Sequence, residues 1–152
     1  MNRYHIHLAS QTEFREAIAV RIHVFVEVQG FPLNEEVDQD DKNAVQVVVV
    51  DTIKDNKVIG TLRMVNAGDT SKVGRVVVLP EYQGLGLGTR LMDFAKQHAA
   101  TDPAFKLCKK LALSSQCDKQ EFYAKRGYKA QGDVFDILGC PHVMMYMDVR
   151  RE

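Results

Sequence analysis

Hydrophobic residues recur along the chain with two different spacings, and each spacing predicts one type of element. Near the start, Tyr4–Leu8 alternates weakly between apolar and polar residues and predicts a first strand. Ser10 and Thr12 are suitable N-caps for a following helix, which is expected to end before Gly30-Phe31-Pro32, a turn sequence. The predicted apolar face of this helix follows a period near 3.6 residues and consists of Phe14, Ala17, Ile18, Ile22 and Phe25.

Valine-rich segments in the middle of the chain predict the centre of a sheet. Val45–Val50, Val58–Val65 and Val73–Leu79 are rich in β-branched residues and are separated by short turn sequences. Three successive strands joined in this way usually form an antiparallel meander. The preceding segment, Asn34–Asp41, has five carboxylates among eight residues and predicts an exposed loop or a short helix.

The second half of the chain predicts helices interspersed with strands. An amphipathic helix follows Pro80, and its apolar stripe consists of Leu87, Leu91, Phe94, Ala95 and His98. The remaining predicted elements are a short strand at Lys110–Leu113, a helix from Asp118 to Arg126, and two strands at Val134–Leu138 and His142–Val149. Together these elements predict an α/β fold of the mixed α+β type, in which helices cover both faces of a mostly antiparallel mixed sheet of six to seven strands.

Composition narrows the class of protein. The 152 residues carry 20 Lys and Arg against 20 Asp and Glu, so the formal net charge is zero, and we expect neither nucleic acid nor a membrane surface as partner. The length predicts a single domain over residues 1–152. No apolar run approaches the ~20 residues of a membrane span. The three cysteines form no Cys-x-x-Cys pair, and the first residues do not look like a signal peptide, so we expect a cytoplasmic protein without a metal.

Three glycines at alternate positions carry the first indication of chemistry. Gly84, Gly86 and Gly88 lie between the strand ending at Leu79 and the amphipathic helix. Glycine allows the backbone to approach a ligand closely. The first N–H groups of a helix have no acceptor inside the helix and lie at the positive end of its dipole. The segment therefore predicts a binding site for phosphate or diphosphate.

Three phosphate-binding patterns compete for this turn. A P-loop requires a lysine after its last glycine, but Thr89 and Arg90 stand there. A dinucleotide fingerprint that starts at Gly84 has Thr89 in place of its third glycine. The third pattern, Gln/Arg-x-x-Gly-x-Gly/Ala, is matched by Gln83, Gly86 and Gly88. Together with the valine-rich strand before it and the helix after it, the segment resembles the acyl-coenzyme A signature of the GNAT acetyltransferase superfamily.

A second segment strengthens this resemblance. Phe122-Tyr123-Ala124-Lys125-Arg126-Gly127-Tyr128 is similar to the late helix of the superfamily, whose tyrosine commonly lies near the coenzyme sulfur. The rest of the chain resembles the ElaA-like branch at Arg21-x-x-Val24-Phe25-Val26-x-x-Gln29, Pro32, Asp38, Asp41, Gly74-Arg75-Val76, Gln116 and Gly139-x-Pro141-His142-x-x-Met145. Departures from the branch at Val28, Gln46 and Ile137-Leu138 fall in the expected acceptor region.

The resemblance implies a GNAT fold, acetyl-CoA as co-substrate and no metal. Backbone groups of the preceding strand would hold the pantetheine arm, and the glycine turn would hold the diphosphate. The implied coenzyme-binding residues are Val76, Val77, Val78, Gln83, Gly84, Leu85, Gly86, Leu87, Gly88, Thr89 and Arg90. Tyr123 would donate a proton or a hydrogen bond to the departing thiolate, since a phenol with a pKa near 10 is protonated at neutral pH.

The acceptor region is less sharply defined by the sequence. His142 is the best-placed candidate base by resemblance, although a histidine at the start of a strand can equally be satisfied by the backbone. Arg21 is a candidate for holding a substrate carboxylate or phosphate, and a solvated ion pair with Asp38 or Asp41 is the alternative. Glu27, Glu36 and Asp38 follow His142 as candidate bases, and Glu27 and Glu36 complete the predicted acceptor site with Arg21.

The sequence therefore predicts an acetyl-CoA-dependent N-acetyltransferase that acts on a primary amine of a small molecule or peptide. Direct attack within a ternary complex is the expected mechanism. Two alternatives stay open: a glucosamine-6-phosphate N-acetyltransferase, and a non-catalytic module that binds acyl-CoA. The expected state is a monomer or a homodimer.

Overall fold

Eight strands form one sheet in the computed structural model, which describes residues 2–151 and, for residues 34 and 35, the backbone only. Their bounds are β1 Tyr4–Leu8, β2 Val45–Asp51, β3 Lys57–Val65, β4 Thr70–Val78, β5 Lys110–Gln116, β6 Lys129–Ala130, β7 Phe135–Ile137 and β8 Cys140–Asp148. The strand order is β1-β2-β3-β4-β5-β8-β6, and β7 also pairs with β8. Among the described strand pairs, β4 and β5 are parallel and the others are antiparallel.

Four α-helices accompany the sheet within the described residues. They are α1 Gln11–Arg21, which continues as a π-helical segment over Ile22–Val28, α2 Leu33–Glu36, α3 Leu87–Thr101 and α4 Gln120–Lys125. The predicted fold class and the antiparallel meander are confirmed. The sheet has eight strands where six to seven were predicted. The unpredicted strand is β6, whose two residues are too few to show a periodic pattern.

The central strands are buried on both faces. Val47–Val50 of β2 and residues 58–64 of β3 are buried without interruption. Because successive side chains of a strand point to opposite faces, this pattern requires a cover on each side. α1 and α3 both pack against β2, β3 and β4 and provide it. The sequence prediction of helices on both faces is thereby confirmed.

The buried face of the first helix differs from the predicted one. Ala17, Val20, Arg21 and Val24 are buried, while Phe14, Ile18, Ile22 and Phe25 are only partly buried. The apolar periodicity therefore identified the helix but misplaced its inner face. The reason is an arginine: Arg21 is fully buried because carboxylates from the acidic segment surround it, a contact that periodicity does not reveal.

The sheet opens between its two parallel strands. β4 and β5 pair only over Thr70–Lys72 and Lys110–Ala112, and beyond these residues they separate. On its other edge, β4 has a bulge opposite β3, and Arg75 within the bulge adopts a positive φ of 53°. The β4–β5 gap, by which we mean the opening beyond Lys72 and Ala112, leaves strand backbone without a neighbouring strand.

None of the helices within residues 2–151 combines the length and the apolar character that crossing a bilayer requires.

Candidate active site

A cavity of about 900 Å³ occupies the β4–β5 gap, and we call it the first cavity. Most of the residues that the sequence predicts for the site contribute to its wall. These are Val76, Val77, Val78, Gln83, Gly84, Gly86, Leu87, Gly88 and Thr89 for the coenzyme, Tyr123 and His142 for catalysis, and Glu36 for the acceptor. The structure therefore brings together residues that lie more than a hundred positions apart in the sequence.

Backbone groups of β4 face the first cavity. The N–H of Leu79 donates to the carbonyl of Ile59 at 2.8 Å, and Val77 is registered with Thr61 of β3. Because backbone groups alternate in direction along a strand, those of Val76 and Val78 point away from β3 and into the gap. The carbonyl of Val78 accepts a hydrogen bond from Nε2 of Gln83 at 3.0 Å, which agrees with this direction.

The glycine turn leads directly into α3. Gly84 and Gly86 adopt positive φ values of 82° and 77°, a conformation that side chains rarely allow. The first intrahelical hydrogen bond runs from the N–H of Arg90 to the carbonyl of Gly86 at 3.1 Å. The N–H groups of residues 87–89 therefore lack acceptors within the helix, and they lie at the positive end of the α3 dipole.

Gly88 has a different role from the two preceding glycines. A Cβ atom at this position would lie 3.3 Å from Cζ of Phe122, so the absence of a side chain lets α3 and α4 pack closely. This contact sets the distance between the glycine turn and Tyr123, the neighbour of Phe122 on α4. In the Gly86-x-Gly88 pattern, the first glycine is thus required for its positive φ and the second for close helix packing.

Two predicted coenzyme residues lie away from the first cavity. Leu85 is exposed at the tip of the turn. Arg90 points toward β1, where Nη2 donates to the carbonyl of Tyr4 at 3.2 Å and Nη1 donates to Oδ1 of Asn2 at 3.4 Å. The side chain of Arg90 therefore has its partners at β1 and not in the first cavity, whereas the predicted role of Leu85 concerns its backbone amide and stays a prediction. Position 90 falls on the side of α3 that faces the sheet edge.

Arg126 is a cation near the turn that the sequence analysis did not assign to the site. Its Nη1 donates to Oγ1 of Thr89 at 2.5 Å, and its guanidinium lies 5.9 Å from the ring centre of Phe122. Thr89 belongs to the first turn of α3, so Arg126 adds a positive charge beside the unpaired N–H groups. Arg126 and Thr89 are 37 residues apart, and no local pattern could have connected them.

Tyr82 is a second residue of the first cavity that sequence patterns did not single out. Its hydroxyl donates to Oδ2 of Asp51 at 2.7 Å, and Arg3 donates to both oxygens of the same carboxylate at 2.8 Å. The hydrogen bonds from Arg3 hold the pKa of Asp51 below its usual range. This chain of contacts attaches the turn after β4 to the end of β2.

Tyr123 borders the first cavity, and its ring is held by aromatic neighbours. Its ring packs edge-to-face against Phe122 and Tyr128, at centroid distances of 5.1 and 6.3 Å. Burial raises the pKa of Tyr123 to about 12, so the phenol keeps its proton throughout the neutral range. Its hydroxyl has no hydrogen-bond partner among residues 2–151, although the side chain contributes to the wall of the first cavity.

His142 is held in one orientation by the backbone. Its Nδ1 lies 2.8 Å from the carbonyl oxygen of Cys140, and its ring stacks against Phe135. Because a carbonyl oxygen only accepts hydrogen bonds, Nδ1 must carry the proton and Nε2 of the neutral ring has a free lone pair. The backbone contact considered in the sequence analysis is therefore present, and it leaves Nε2 able to accept a proton.

Arg21 does not face the cavity, and its predicted contact with substrate is corrected. Its side chain is completely buried, where Nε donates to Glu36 Oε1 at 2.8 Å and Nη1 donates to Asp41 Oδ1 at 2.8 Å. Nη2 also donates to the backbone carbonyl of Glu36 at 2.6 Å. The alternative, an ion pair with Asp38 or Asp41, is correct for Asp41, but the pair is buried rather than solvated. Arg21 is a structural residue.

The acidic segment, residues 34–41, includes most of the predicted short helix, α2, and its carboxylates Glu36, Asp38 and Asp41 belong to an internal ion-pair network. Arg63 donates to both oxygens of Asp38, at 2.6 and 2.9 Å, and lies 3.1 Å from Asp41. Arg75, at the β4 bulge, contacts Asp38 at 3.2 Å and Glu36 at 3.4 Å. We call Arg21, Arg63, Arg75, Glu36, Asp38 and Asp41 the six-residue network. It connects α1, β3, β4 and the acidic segment.

The carboxylates of this network have shifted pKa values. Hydrogen bonds from Arg63 lower the pKa of Asp38. Burial opposes ionisation of Asp41, but the hydrogen bonds from Arg21 outweigh it and hold its pKa far below the ordinary value. Burial is dominant at Glu36 and raises its pKa despite the contact with Arg21. Glu36 and Asp38 line the first cavity as members of this network.

Glu27 is the last predicted acceptor residue, and it lies outside the first cavity. Its side chain is exposed, and Oε1 lies 3.2 Å from Nδ1 of His23, one helical turn earlier. Contact between Glu27 and a substrate therefore stays a prediction to which the first cavity gives no support. In the part of the chain that the structure describes, no group of three or more His, Cys, Asp or Glu side chains is arranged to hold a metal ion.

Comparisons with known proteins place this site in a family. Residues 15–149 match the sequence profile described as "Acetyltransferase (GNAT) domain". A Bacillus subtilis protein named as an acetyltransferase is 30% identical over 138 residues, which make up 91% of each chain. A Lactobacillus plantarum structure named as an N-acetyltransferase superposes with a TM-score of 0.86 at 26% identity, covering 98% of this chain and 100% of that one. Escherichia coli ElaA has the same fold, with a TM-score of 0.80 at 21% identity over 97% and 99% of the two chains.

Proposed function

This chain belongs to the GNAT acetyltransferase family, and we propose that it transfers an acetyl group from acetyl-CoA to a primary amine of a small molecule or peptide. Family membership confirms the resemblance found in the sequence. The family generally uses acetyl-CoA or acyl-CoA. The three cysteines are free, which favours the cytoplasm as the location of the reaction.

One observation supports the proposal most directly. The unpaired N–H groups at the start of α3, the free backbone edge of β4 and the hydroxyl of Tyr123 all border one cavity. A thioester coenzyme has three matching parts, namely a diphosphate, an amide-containing arm and a sulfur. Peptide N–H groups at a helix start suit the diphosphate, and a strand edge suits the amide arm.

The residues of the chain fit the coenzyme in charge as well as in shape. N–H groups of residues 87–89 would bind the diphosphate, and the guanidinium of Arg126 lies close enough to Thr89 to add attraction. The N–H of Val78 points into the β4–β5 gap and would polarise the thioester carbonyl. Acetyl-CoA would supply the activated acetyl group.

The acceptor amine must lose a proton before it can attack. An alkylamine with a pKa near 10.4 is less than ~0.1% neutral at pH 7, so a proton acceptor near the amine would raise the rate. We assign this role to Nε2 of His142, directly or through a water molecule. Attack forms the carbon–nitrogen bond and breaks the carbon–sulfur bond. His142 passes the first proton to bulk water and then takes the second proton, which the nitrogen releases once the carbon–nitrogen bond has formed.

Tyr123 would stabilise the sulfur as it leaves. With a pKa raised to about 12, its phenol is a weaker acid than a thiol, whose pKa is near 8.5. Complete transfer of the phenol proton to a thiolate is therefore unfavourable. Tyr123 would act as a hydrogen-bond donor to the developing negative charge, and bulk water would supply the final proton.

Two measurements test the proposal. Acetyl-CoA should raise the melting temperature of the protein, and free thiol should accumulate when a suitable amine is added. The amine screen should include peptides, amino-acid amides, polyamines, aminoglycosides and glucosamine 6-phosphate. A unique response to glucosamine 6-phosphate would favour that alternative instead. Stabilisation by acetyl-CoA without thiol release from any amine would favour a non-catalytic binding module.

Replacement of Tyr123 by phenylalanine should reduce turnover far more than coenzyme affinity. Tyr123→Phe preserves the ring contacts with Phe122 and Tyr128 but removes the hydroxyl. We expect kcat to fall on the order of 10²-fold, in the range seen when one donor to developing charge is removed. The Kd for coenzyme A, measured calorimetrically, should change less than threefold. Unchanged kcat would show that the hydroxyl does not contact the leaving sulfur.

Replacement of His142 by glutamine tests the proton acceptor. Gln has similar length and can still donate a hydrogen bond to the carbonyl of Cys140, but its side chain cannot take up a proton at neutral pH. We expect kcat to fall between 10- and 100-fold at pH 7 and to recover partly at higher pH, where more of the amine is neutral. His23→Gln, at an exposed position, is the matched control. Equal loss at every pH would assign His142 a structural role.

A further inference from the structure

A second cavity, of about 630 Å³, adjoins the first cavity on the acceptor side. The two cavities share Gln29, Phe31, Gln116 and Leu138 in their walls. The rest of the second cavity is formed by glycine, proline and cysteine residues, so no charged side chain belongs to its described wall. A substrate that extends from the first cavity into the second would therefore meet an uncharged, partly apolar surface.

The turn that carries Leu138 is unusual in its sequence. Ile137 of β7 pairs with Cys140 of β8, so the hairpin has the two-residue loop Leu138-Gly139. Both loop residues have positive φ, 51° and 84°, which is the geometry of a type I′ turn. Asn, Asp or Gly is strongly preferred at the first of these positions, and leucine there is strained.

The strained turn holds the side chain of Leu138 at the border of the two cavities. Asp136 fixes the turn, since its Oδ2 accepts a hydrogen bond from the N–H of Gly139 at 2.8 Å. The side chain of Leu138 is 54% exposed, and it borders both cavities. Burial of Leu138 within the protein therefore contributes little hydrophobic stabilisation to offset the strain. Strained residues of this kind concentrate at ligand-binding sites, where their placement serves the ligand.

Two side-chain amides meet across the boundary of the cavities. Nε2 of Gln116 donates to Oε1 of Gln29 at 3.3 Å. This contact leaves Oε1 of Gln116 and Nε2 of Gln29 available to a ligand. If Gln29 were the donor and Gln116 the acceptor, one amide oxygen and one amide nitrogen would still be available. An amide group presents one acceptor and one donor side, so it matches the remaining groups.

Charges in the first cavity argue against a multiply charged substrate. Three carboxylates border the first cavity. Glu36 and Asp38 are paired with arginines of the six-residue network, and Asp136, which accepts a hydrogen bond from the N–H of Gly139, is the one without a cationic partner among the described residues. One such carboxylate can attract a single ammonium group, but it does not match the several charges of a polyamine. The cations of the cavity wall are Arg75, a member of the same network, and Lys119. A sugar phosphate would favour a cluster of available cations, which this wall does not provide within residues 2–151.

We propose that the acceptor is an α-amino amide with an apolar side chain, as at the N-terminus of a peptide. Leu138 and Phe31 contact the apolar side chain, while Gln29 and Gln116 bind the amide group. This inference rests on the proposed acetyl transfer for the chemistry, but the binding preference is a property of the second cavity and can be measured separately.

Three matched amines test the binding preference. Leucinamide has the side chain and the amide, glycinamide lacks the side chain, and 3-methylbutylamine lacks the amide. Calorimetric titration of the protein saturated with coenzyme A should give leucinamide an affinity at least tenfold higher than either of the others. The tripeptide Leu-Gly-Gly should bind as well as leucinamide if peptides are accepted, and more weakly if only free amides are. Preference for spermidine or glucosamine 6-phosphate would overturn the proposal.

Two variants test the assigned residues. Leu138→Asn supplies the residue that the turn favours, so the melting temperature should be unchanged or higher, but the affinity for leucinamide should fall about tenfold while that for glycinamide changes less than twofold. Gln116→Met should weaken leucinamide binding and leave 3-methylbutylamine binding unchanged. Leu107→Asn, at an exposed position outside both cavities, is the control and should alter neither affinity. An unchanged leucinamide-to-glycinamide ratio in Leu138→Asn would overturn the proposal.

The failure of this inference can be told apart from the failure of the proposed function. Preferential binding of leucinamide without thiol release would support the inference and reject acetyl transfer. Thiol release with equal kcat/KM for all three amines would support acetyl transfer and reject the inference.

Discussion

Replacement of Arg21 by methionine is expected to lower the free energy of unfolding by about 3–5 kcal/mol. Methionine fills much of the same volume but leaves Glu36 and Asp41 buried without their main hydrogen-bond donor. The longer contacts of Arg75 with Glu36 and of Arg63 with Asp41 remain, but both buried carboxylates lose the shorter hydrogen bonds that offset their lost hydration. Chemical denaturation followed by circular dichroism measures the change.

The same helix offers a control for this prediction. Arg15→Met removes an exposed arginine and should change the free energy of unfolding by less than ~0.5 kcal/mol. Arg21→Lys keeps the charge but loses the forked geometry that contacts both carboxylates, so an intermediate loss is expected. If Arg21→Met costs no more than Arg15→Met, the six-residue network does not stabilise the fold in the way described.

Introduction of glutamate at Gly86 should weaken acetyl-CoA binding on the order of 100-fold, which corresponds to about 2.8 kcal/mol. The new carboxylate would lie beside the N–H groups that we assign to the diphosphate. Two like unit charges ~4 Å apart repel by about 4 kcal/mol at an effective dielectric constant of 20, so repulsion alone accounts for a loss of this size. Isothermal titration calorimetry with acetyl-CoA measures it.

Gly68→Glu provides a closely matched control. Gly68 has a φ of 81°, against 77° for Gly86, and at both positions the place that a Cβ atom would take has no other atom within 4 Å. Both variants therefore introduce the same residue at the same strained backbone conformation, but Gly68 does not border the first cavity. Both should lower stability by a similar amount, and only Gly86→Glu should lose coenzyme affinity. Normal acetyl-CoA binding by Gly86→Glu would mean that the coenzyme binds elsewhere.

The coenzyme half of the site could be read from the sequence because its parts are nearly contiguous. Residues 76–89 contain the strand edge, the two positive-φ glycines and the first turn of α3. Each requirement is a property of the backbone, and glycine spacing and apolar periodicity report the backbone directly. The direction of the Arg90 side chain, toward β1, could not be read from these patterns, because it depends on what packs against the helix.

The acceptor half could not be read in the same way. The sequence pattern puts Arg21 on the polar edge of the first helix, where it could hold a substrate anion, and Glu27 is a candidate base after His142. The structure instead buries Arg21 among carboxylates 15 and 20 residues away and leaves Glu27 outside the cavity. Glu36 and His142 do border the first cavity, and their roles there are proposals that the variants above would test.

The amino-acid sequence by itself determined the fold class, the family and the location of the glycine turn, because these depend on periodic burial and on backbone conformation within short segments. Only the tertiary structure decided which charged side chains are buried, which cation joins the turn at Thr89, and where a second cavity extends the acceptor site. Such features depend on contacts between distant segments, and the free energy of a charge is set by the partners and the solvent around it rather than by its neighbours along the chain.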